Sequence, residues 1–346
     1  MAADKGSVAP APVAAANEAA RPPLSLTIHG EEEMMRLVAE LYYLRDQSQS
    51  TIAELTGFSV SKVSRMLSQA RDAGIVQISV QAAPDQLAQD GARLAAALGI
   101  PDARITPGRS DDPVRATRLC AVAAAPWVAE QLPEAGVLGL AGGFTVAALV
   151  DALPPRRRAH LTIVPTVGGW DPATPHLDIN ELARRTAERL GCHYQRLHAP
   201  GRLDSVEVRD ALLADSAIRV TTDFWKRLSV ALIGVSGSPL AVPGYTTVMD
   251  RLNAEERARL AAEGVVGDMM GHLFDFDGRV VNDPTAGRTI AAPLDALRNA
   301  SHVIAIAAGS HKVDSIIGAC RSGLVHTMIT DQPTAEAVLL RLEDAA

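Results

Sequence analysis

Residues 49–71 read QSTIAELTGFSVSKVSRMLSQAR, and their spacing predicts a helix-turn-helix. Counted from Gln49, the fifth position is Ala53, the ninth Gly57 and the fifteenth Val63. A small residue suits the fifth position, where two helices nearly touch. Glycine suits the ninth, because the turn needs a positive φ that costs other residues energy. An apolar residue suits the fifteenth, which points into a small core that Ile52, Leu55 and Leu67 are expected to complete. Ser59 is placed to cap the second helix of the pair. Val60, Ser61, Ser64, Arg65 and Ser68 then fall on that helix's outer face, the face that enters a DNA major groove in such motifs. Arg65 is suited to guanine, Ser61 and Ser64 to bases or phosphate, Lys62 and Arg71 to phosphates. Gln49 and Ser59, at the helix starts, join the same DNA-facing set. Residues 60–71 carry three positive charges before Asp72 and no acid. The alternative is a three-helix packing unit that never meets DNA.

Working outward, residues 31–44 carry Met34, Leu37, Val38, Leu41 and Leu44 at helical spacing. Gly74 ends the recognition helix, and Ile75, Ile78 and Val80 suit a short wing strand. Ala82, Ala83 and Pro84 suit a hinge. Residues 1–30, rich in Ala and Pro and interrupted by Asp4 and Glu18, are expected to form a disordered tail rather than a signal peptide. These readings divide the chain into a tail at 1–30, a DNA-binding domain at 31–84 and a second domain at 85–346.

The second domain alternates short apolar runs with amphipathic segments. Strands are expected at 137–140, 161–164, 230–234, 303–307 and 325–329. Helices are expected at 115–130, 145–153, 180–190, 254–262, 312–322 and 334–342. Such alternation predicts an α/β domain with a mainly parallel sheet, and ligands of such sheets collect at the carboxyl ends of the strands. Polar features gather at those ends. In GLAGGFTVAAL, residues 139–149, Gly142 and Gly143 let backbone N–H groups approach a ligand, and Thr145 adds a hydroxyl at the start of the next helix. This is either an anion cradle or an ordinary tight turn. Gly168 and Gly169 follow the next strand, with Asp178 and Asn180 before a helix that Asn180 could simply cap. Asp268 follows an apolar run. Lys312, in AIAAGSHK, starts a helix, where its charge opposes the dipole and calls for a partner such as phosphate. Asp331 is placed to cap the last helix.

Bulk properties narrow the class. The 346 residues are 47% hydrophobic but only 3% aromatic, so the core must be aliphatic. A net charge of -7 argues against a general basic coat and leaves room for a local DNA-reading strip. Cys120, Cys192 and Cys320 are far apart, which argues against a disulfide framework or a structural zinc and fits a reducing cytoplasm. No run reaches the roughly 18 apolar residues of a membrane helix. No cofactor or metal is expected.

Several segments, in order, resemble the SorC family of bacterial sugar-responsive transcriptional regulators: ELYYLRDQSQSTIAELTGFSVSKVSRMLSQARDAGIV (40–76), GLAGGFTV (139–146), PTVGG (165–169) with DIN (178–180), GVVGDMMGHLFDFDG (264–278) and AIAAGSHKVDSIIGACRSGLVHTMITDQPTA (305–335). The resemblance covers nearly all of residues 31–342. It implies a winged helix-turn-helix joined to a Rossmann-like sensor domain similar to sugar-phosphate isomerases and glucosamine-phosphate deaminases. It also implies an effector phosphate at the loop of Gly142, Gly143 and Thr145, with Lys312 in the same pocket and Asp268 near the ligand. It implies homodimers or homotetramers acting as repressor or activator on operator DNA. Three departures matter. Val167 stands where some phosphate-sensing members have a basic residue, and Phe144 replaces a frequent polar one. Asp178, a carboxylate where a neutral polar residue is expected, repels phosphate and accepts hydroxyls. A sugar, polyol or singly phosphorylated sugar is the expected effector, with a bisphosphate disfavoured.

Two other functions compete. A sugar-phosphate isomerase or deaminase would need a general base, for which Asp268, with His272 and His311 near it in sequence, is the candidate. A pure interaction module would use the helix-turn-helix as a docking unit.

Overall fold

The computed structural model describes residues 30–76, 84–110, 112–169, 177–238, 252–283 and 287–344. The tail at 1–30 lies outside this description except for Gly30, as do the wing positions Ile78 and Val80 and the hinge residues Ala82 and Ala83. The chain divides into two compact units, residues 1–78 and 79–346.

The first unit is built from α1 (Glu31–Tyr43), α2 (Gln49–Thr56) and α3 (Val60–Asp72). Ser48 caps α2 by accepting from the Thr51 N–H at 3.1 Å. Gly57 ends it with φ 73°, the left-handed conformation that the turn requires. Ser59 caps α3 by accepting from the Lys62 N–H at 3.2 Å. Ile52, Ala53, Val63 and Leu67 close a core with Val38, Ala39, Met66 and Ala70. Leu55 departs from the expectation: it is 62% exposed. Ile52 and Ala53 centre the inward face of α2, and Leu55 lies about 200° round the helix from Ala53. Leu44, just past the end of α1, is exposed as well.

The second unit holds β1 (Asp102–Thr106), β2 (Ala135–Leu140), β3 (His160–Pro165), β4 (His193–Tyr194), β5 (Val230–Gly234), β6 (Val265–Met269), β7 (His272–Asp275), β8 (His302–Ile306) and β9 (Thr327–Asp331). Its helices are α4 (Pro84–Leu98), α5 (Pro113–Gln131), α6 (Phe144–Ala152), α7 (Ile179–Leu190), α8 (Val206–Ala214), α9 (Ser216–Thr222), α10 (Ala254–Ala262), α11 (Leu294–Arg298), α12 (Val313–Arg321) and α13 (Gln332–Glu343). Seven strands form one sheet in the order β1-β9-β8-β5-β2-β3-β4, and every pairing in it is parallel. The chain runs outward from β2 through β3 to β4, then crosses back to place β5 on the other side of β2. The connections leaving β2 and β5 therefore diverge, and a crevice opens at their carboxyl ends. The buried aliphatic core lines the sheet, with Leu138, Leu140, Ile163, Ile233, Ile304 and Ile306 fully enclosed.

β6 and β7 stand apart as an antiparallel pair. Their two-residue connection, Met270–Gly271, has φ 53° and 85°, the pair of positive angles that suits the twist of a tight hairpin. The hairpin shares a small separate core, Leu252, Leu260, Val265 and Leu273, with the segment carrying α10.

Candidate functional site

Most of the expected DNA-facing residues lie at the surface of the first unit. Val60, Ser61, Lys62, Ser64, Arg65 and Arg71 are exposed, while Ser68 and Gln49 are half-buried. Ser59 is exposed and already engaged as a cap. Lys62 rests its ammonium 3.8 Å from the Phe58 ring centroid, and Arg71 donates to the Tyr43 hydroxyl at 3.1 Å. Arg65 makes no ion pair or hydrogen bond among the described residues, which leaves its guanidinium fork open.

In the second unit, a pocket occupies the crevice at the carboxyl ends of β2 and β5. It encloses about 770 Å³, open mouth included. Gly142, Gly143, Phe144 and Thr145 form one wall; Ser236, Asp268, Met270, Gly271, His311 and Lys312 line the others. The wall is a helix start without a side-chain cap: Gly143, φ 114°, precedes α6 and offers none. The first N–H groups of α6 are thus left to the pocket, with the positive end of the helix dipole behind them. A second segment brings His311 and Lys312 to the pocket. Gly309, φ 108°, leads into a 3-10 turn at Ser310–Lys312 and then α12.

Lys312 is buried, and its ammonium has no hydrogen bond or ion pair among the described residues. Burial pushes its pKa down from 10.5 to about 8, against the pull of Cys120 and Asp268. Asp268 is also buried. Its Oδ1 accepts a short hydrogen bond from the Ser236 hydroxyl, and its Oδ2 accepts from the Gly271 N–H at 2.9 Å. Burial raises its carboxyl above the usual range, opposed by those two bonds and by His272 and Lys312. His272 turns to the Ala292 carbonyl at 2.8 Å, and burial lowers its pKa. The Cys120 thiol, pushed up to about 12 chiefly by burial, is inert at neutral pH. The arrangement offers one cation, one helix start and one hydroxyl-accepting carboxylate. That set suits a small polyhydroxylated molecule with an anionic end.

Six of the nine expected pocket residues meet here: Gly142, Gly143, Phe144, Thr145, Asp268 and Lys312. Gly168, Gly169 and Asp178 are not among the lining residues, whereas Val167 is. The Gly168 N–H donates to the Ile290 carbonyl and that of Gly169 to the Ala199 carbonyl, each at 2.9 Å. Asp178 caps α7, accepting from Asn180 and Glu181. Ser236 and Thr117 were not expected. Ser236 follows the expected strand at 230–234, so the rule that ligands sit at strand carboxyl ends pointed to it. Nothing in the pattern of α5 marks Thr117. Among the described residues, no group of three or more His, Cys, Asp or Glu is placed to hold a metal, and no helix is long and apolar enough to cross a membrane.

Residues 82–340 match the family model described as "Putative sugar-binding domain". The sorbitol operon regulator of Klebsiella pneumoniae is 28% identical over 306 residues, covering 87% of this chain and 96% of that protein. The chain belongs to the SorC family of sugar-responsive transcription regulators. The erythritol catabolism regulatory protein EryD of Brucella abortus is 26% identical, over 89% of this chain and 97% of its own. The full-length SorC crystal structure from Klebsiella pneumoniae superposes with a TM-score of 0.69 at 25% identity, over 90% of this chain and all of the other. Membership of the SorC family places the helix-turn-helix and the pocket in one kind of machine, a regulator and not an enzyme. The general-base reading of Asp268 is set aside.

Proposed function

We propose that residues 31–84 read operator DNA and that residues 85–346 bind the effector and join subunits into a cytoplasmic homodimer or homotetramer. The effector is a sugar or polyol carrying a single phosphate. The observation that carries this reading is Lys312, a buried side chain whose ammonium has no hydrogen bond or ion pair among the described residues and which lines, with the uncapped start of α6 and Asp268, one pocket. A largely desolvated ammonium without a partner is costly, and a bound phosphate would relieve that cost. One cation and one helix start suit one phosphate, and the Asp268 carboxylate would repel a second. Gly142, Gly143 and Thr145 hold the phosphate with Lys312. Asp268, oriented by Ser236, accepts sugar hydroxyls, and Phe144 and Met270 provide apolar walls. On α3, Arg65 reads a base edge while Lys62 and Arg71 neutralise phosphates. A single module binds weakly, so a symmetric oligomer reading paired half-sites is needed. The effector acts by favouring one arrangement of that oligomer over another.

Calorimetric titration of the full chain with free sugars, polyols, monophosphates and bisphosphates tests this. A monophosphate is expected to bind most tightly. Tighter binding of a bisphosphate or of an uncharged sugar would contradict the assignment of the pocket.

A further inference from the structure

Val60 is the first residue of α3, directly after the cap Ser59. It is 49% exposed. It takes no part in the small core of its unit, which closes around Val63, Met66, Leu67 and Ala70; it stands at the exposed N-terminal border of that face, next to the outer face that carries Ser64 and Ser61. A β-branched apolar residue gains little from a helix start, since its rotamers are restricted there and its branch stays in water. Around it the surface is polar and basic. Ser61, Ser64 and Arg65 are exposed on the same face, and residues 60–71 contain no acid. Lys62 is drawn aside onto the Phe58 ring, so Val60 is not covered by the nearest long side chain.

The N-terminal residues of a recognition helix are the ones that reach base edges in the major groove. The only apolar group displayed there is the C5-methyl of thymine. We infer that Val60 is a specificity-determining residue that packs against a thymine methyl, so that each operator half-site carries a required thymine beside the bases read by Arg65 and the serines. This inference rests on the DNA-reading role proposed above. It adds a base identity, and a single atom group on that base.

The test uses the full chain. Duplexes enriched from a random pool at fixed salt define the half-site. Each thymine in it is then replaced by deoxyuridine, which removes the methyl and leaves the hydrogen-bonding edge intact. At one thymine per half-site, affinity is expected to fall about fourfold, the effect of exposing one methyl group. Val60→Ser, a folded variant in which Ser61, Ser64 and Arg65 are untouched, is expected to bind the thymine and deoxyuridine duplexes equally at that position. Val60→Thr, which keeps one branch methyl, should retain part of the discrimination. Indifference of the natural chain to every replacement would overturn the inference while leaving DNA binding intact. So would a loss that persists in Val60→Ser. Failure of any sequence to be enriched would contradict the DNA-reading role itself, and this inference with it.

Discussion

Replacing Lys312 by Met should make the protein more stable and a poorer binder together. The Lys312 ammonium is buried without a hydrogen-bond partner among the described residues, and its pKa falls from 10.5 to about 8. At about 1.4 kcal/mol per pH unit, this difference amounts to roughly 3 kcal/mol of destabilisation carried by the charged form. At pH 7, below both values, the lysine is charged in folded and unfolded chains alike, and the whole cost is present. As pH rises through about 8 the folded protein sheds the proton first, and the cost shrinks; above 10.5 it is gone. Methionine has a similar apolar stem and no charge at any pH. Lys312→Met should therefore gain on the order of 2–3 kcal/mol at pH 7 and only a few tenths near pH 10.5. Thermal unfolding of the second unit at the two pH values reads this as a rise in Tm of several degrees that vanishes in alkali. The same variant should bind inorganic phosphate and glucose 6-phosphate about 10–100-fold more weakly, the loss of one charge-assisted hydrogen bond. A variant destabilised equally at both pH values would refute the desolvation argument. Unchanged phosphate affinity would remove Lys312 from the site.

Other outcomes follow from the same geometry. Affinity for a phosphate-bearing ligand should decline above pH 8, approaching tenfold per pH unit as Lys312 discharges; a flat profile from pH 7 to 9.5 at constant ionic strength would contradict this. Arg65→Ala should weaken specific DNA binding by about 1–3 kcal/mol and leave ligand titrations unchanged, whereas equal loss of both in a folded variant would show the role misassigned. Gly267→Ala would bring a Cβ to 2.6 Å from the Ser236 carbonyl oxygen, where backbone cannot easily retreat. Destabilisation of about 1–3 kcal/mol is expected, with weaker ligand binding as the Ser236–Asp268 contact shifts; a natural Tm would argue against so close a fit.

The parts legible in the sequence were those with a strong local rule. The expected strand at 230–234 and helix at 254–262 coincide to the residue with β5 and α10; the first is a compact apolar run ending at Gly234, and the second shows regular helical spacing. Ser59 and Asp331 were recognised as caps from residue type and position alone. The edge strands were not legible. β1 carries two charges in five residues, DARIT, and β4 is only two residues long, so neither shows an apolar run. The β6–β7 hairpin was missed because its turn places Met270, not glycine or asparagine, at the first positive φ. α4, α8, α9 and α11 gave too little contrast with their surroundings to be separated.

The pocket was partly legible for the same reason. Gly142, Gly143, Thr145 and Lys312 lie next to strands that could be read, so their convergence followed from the topology of a parallel sheet. Asp268 could be placed in the site, but its hydrogen bond from Ser236 joins residues 32 apart in sequence and depends on the unread hairpin. Gly168 and Gly169 showed the opposite limit. The pair resembles the first glycine loop, yet its N–H groups are spent on neighbouring carbonyls. Leu55 failed because an eight-residue helix has one narrow inward face, and spacing alone does not say which apolar residue it leaves outside.

Coupling between effector binding and DNA binding is the property that distinguishes a regulator of this kind. Binding of the full chain to its own upstream intergenic DNA would be measured at fixed salt, with and without sugars, polyols and their phosphates, for the natural chain and for Lys312→Met. The account predicts specific binding that one monophosphate shifts by at least about fivefold, and a variant with the same affinity for DNA alone but no response to that compound. Specific binding that no compound alters, or a variant that responds as the natural chain does, would contradict it.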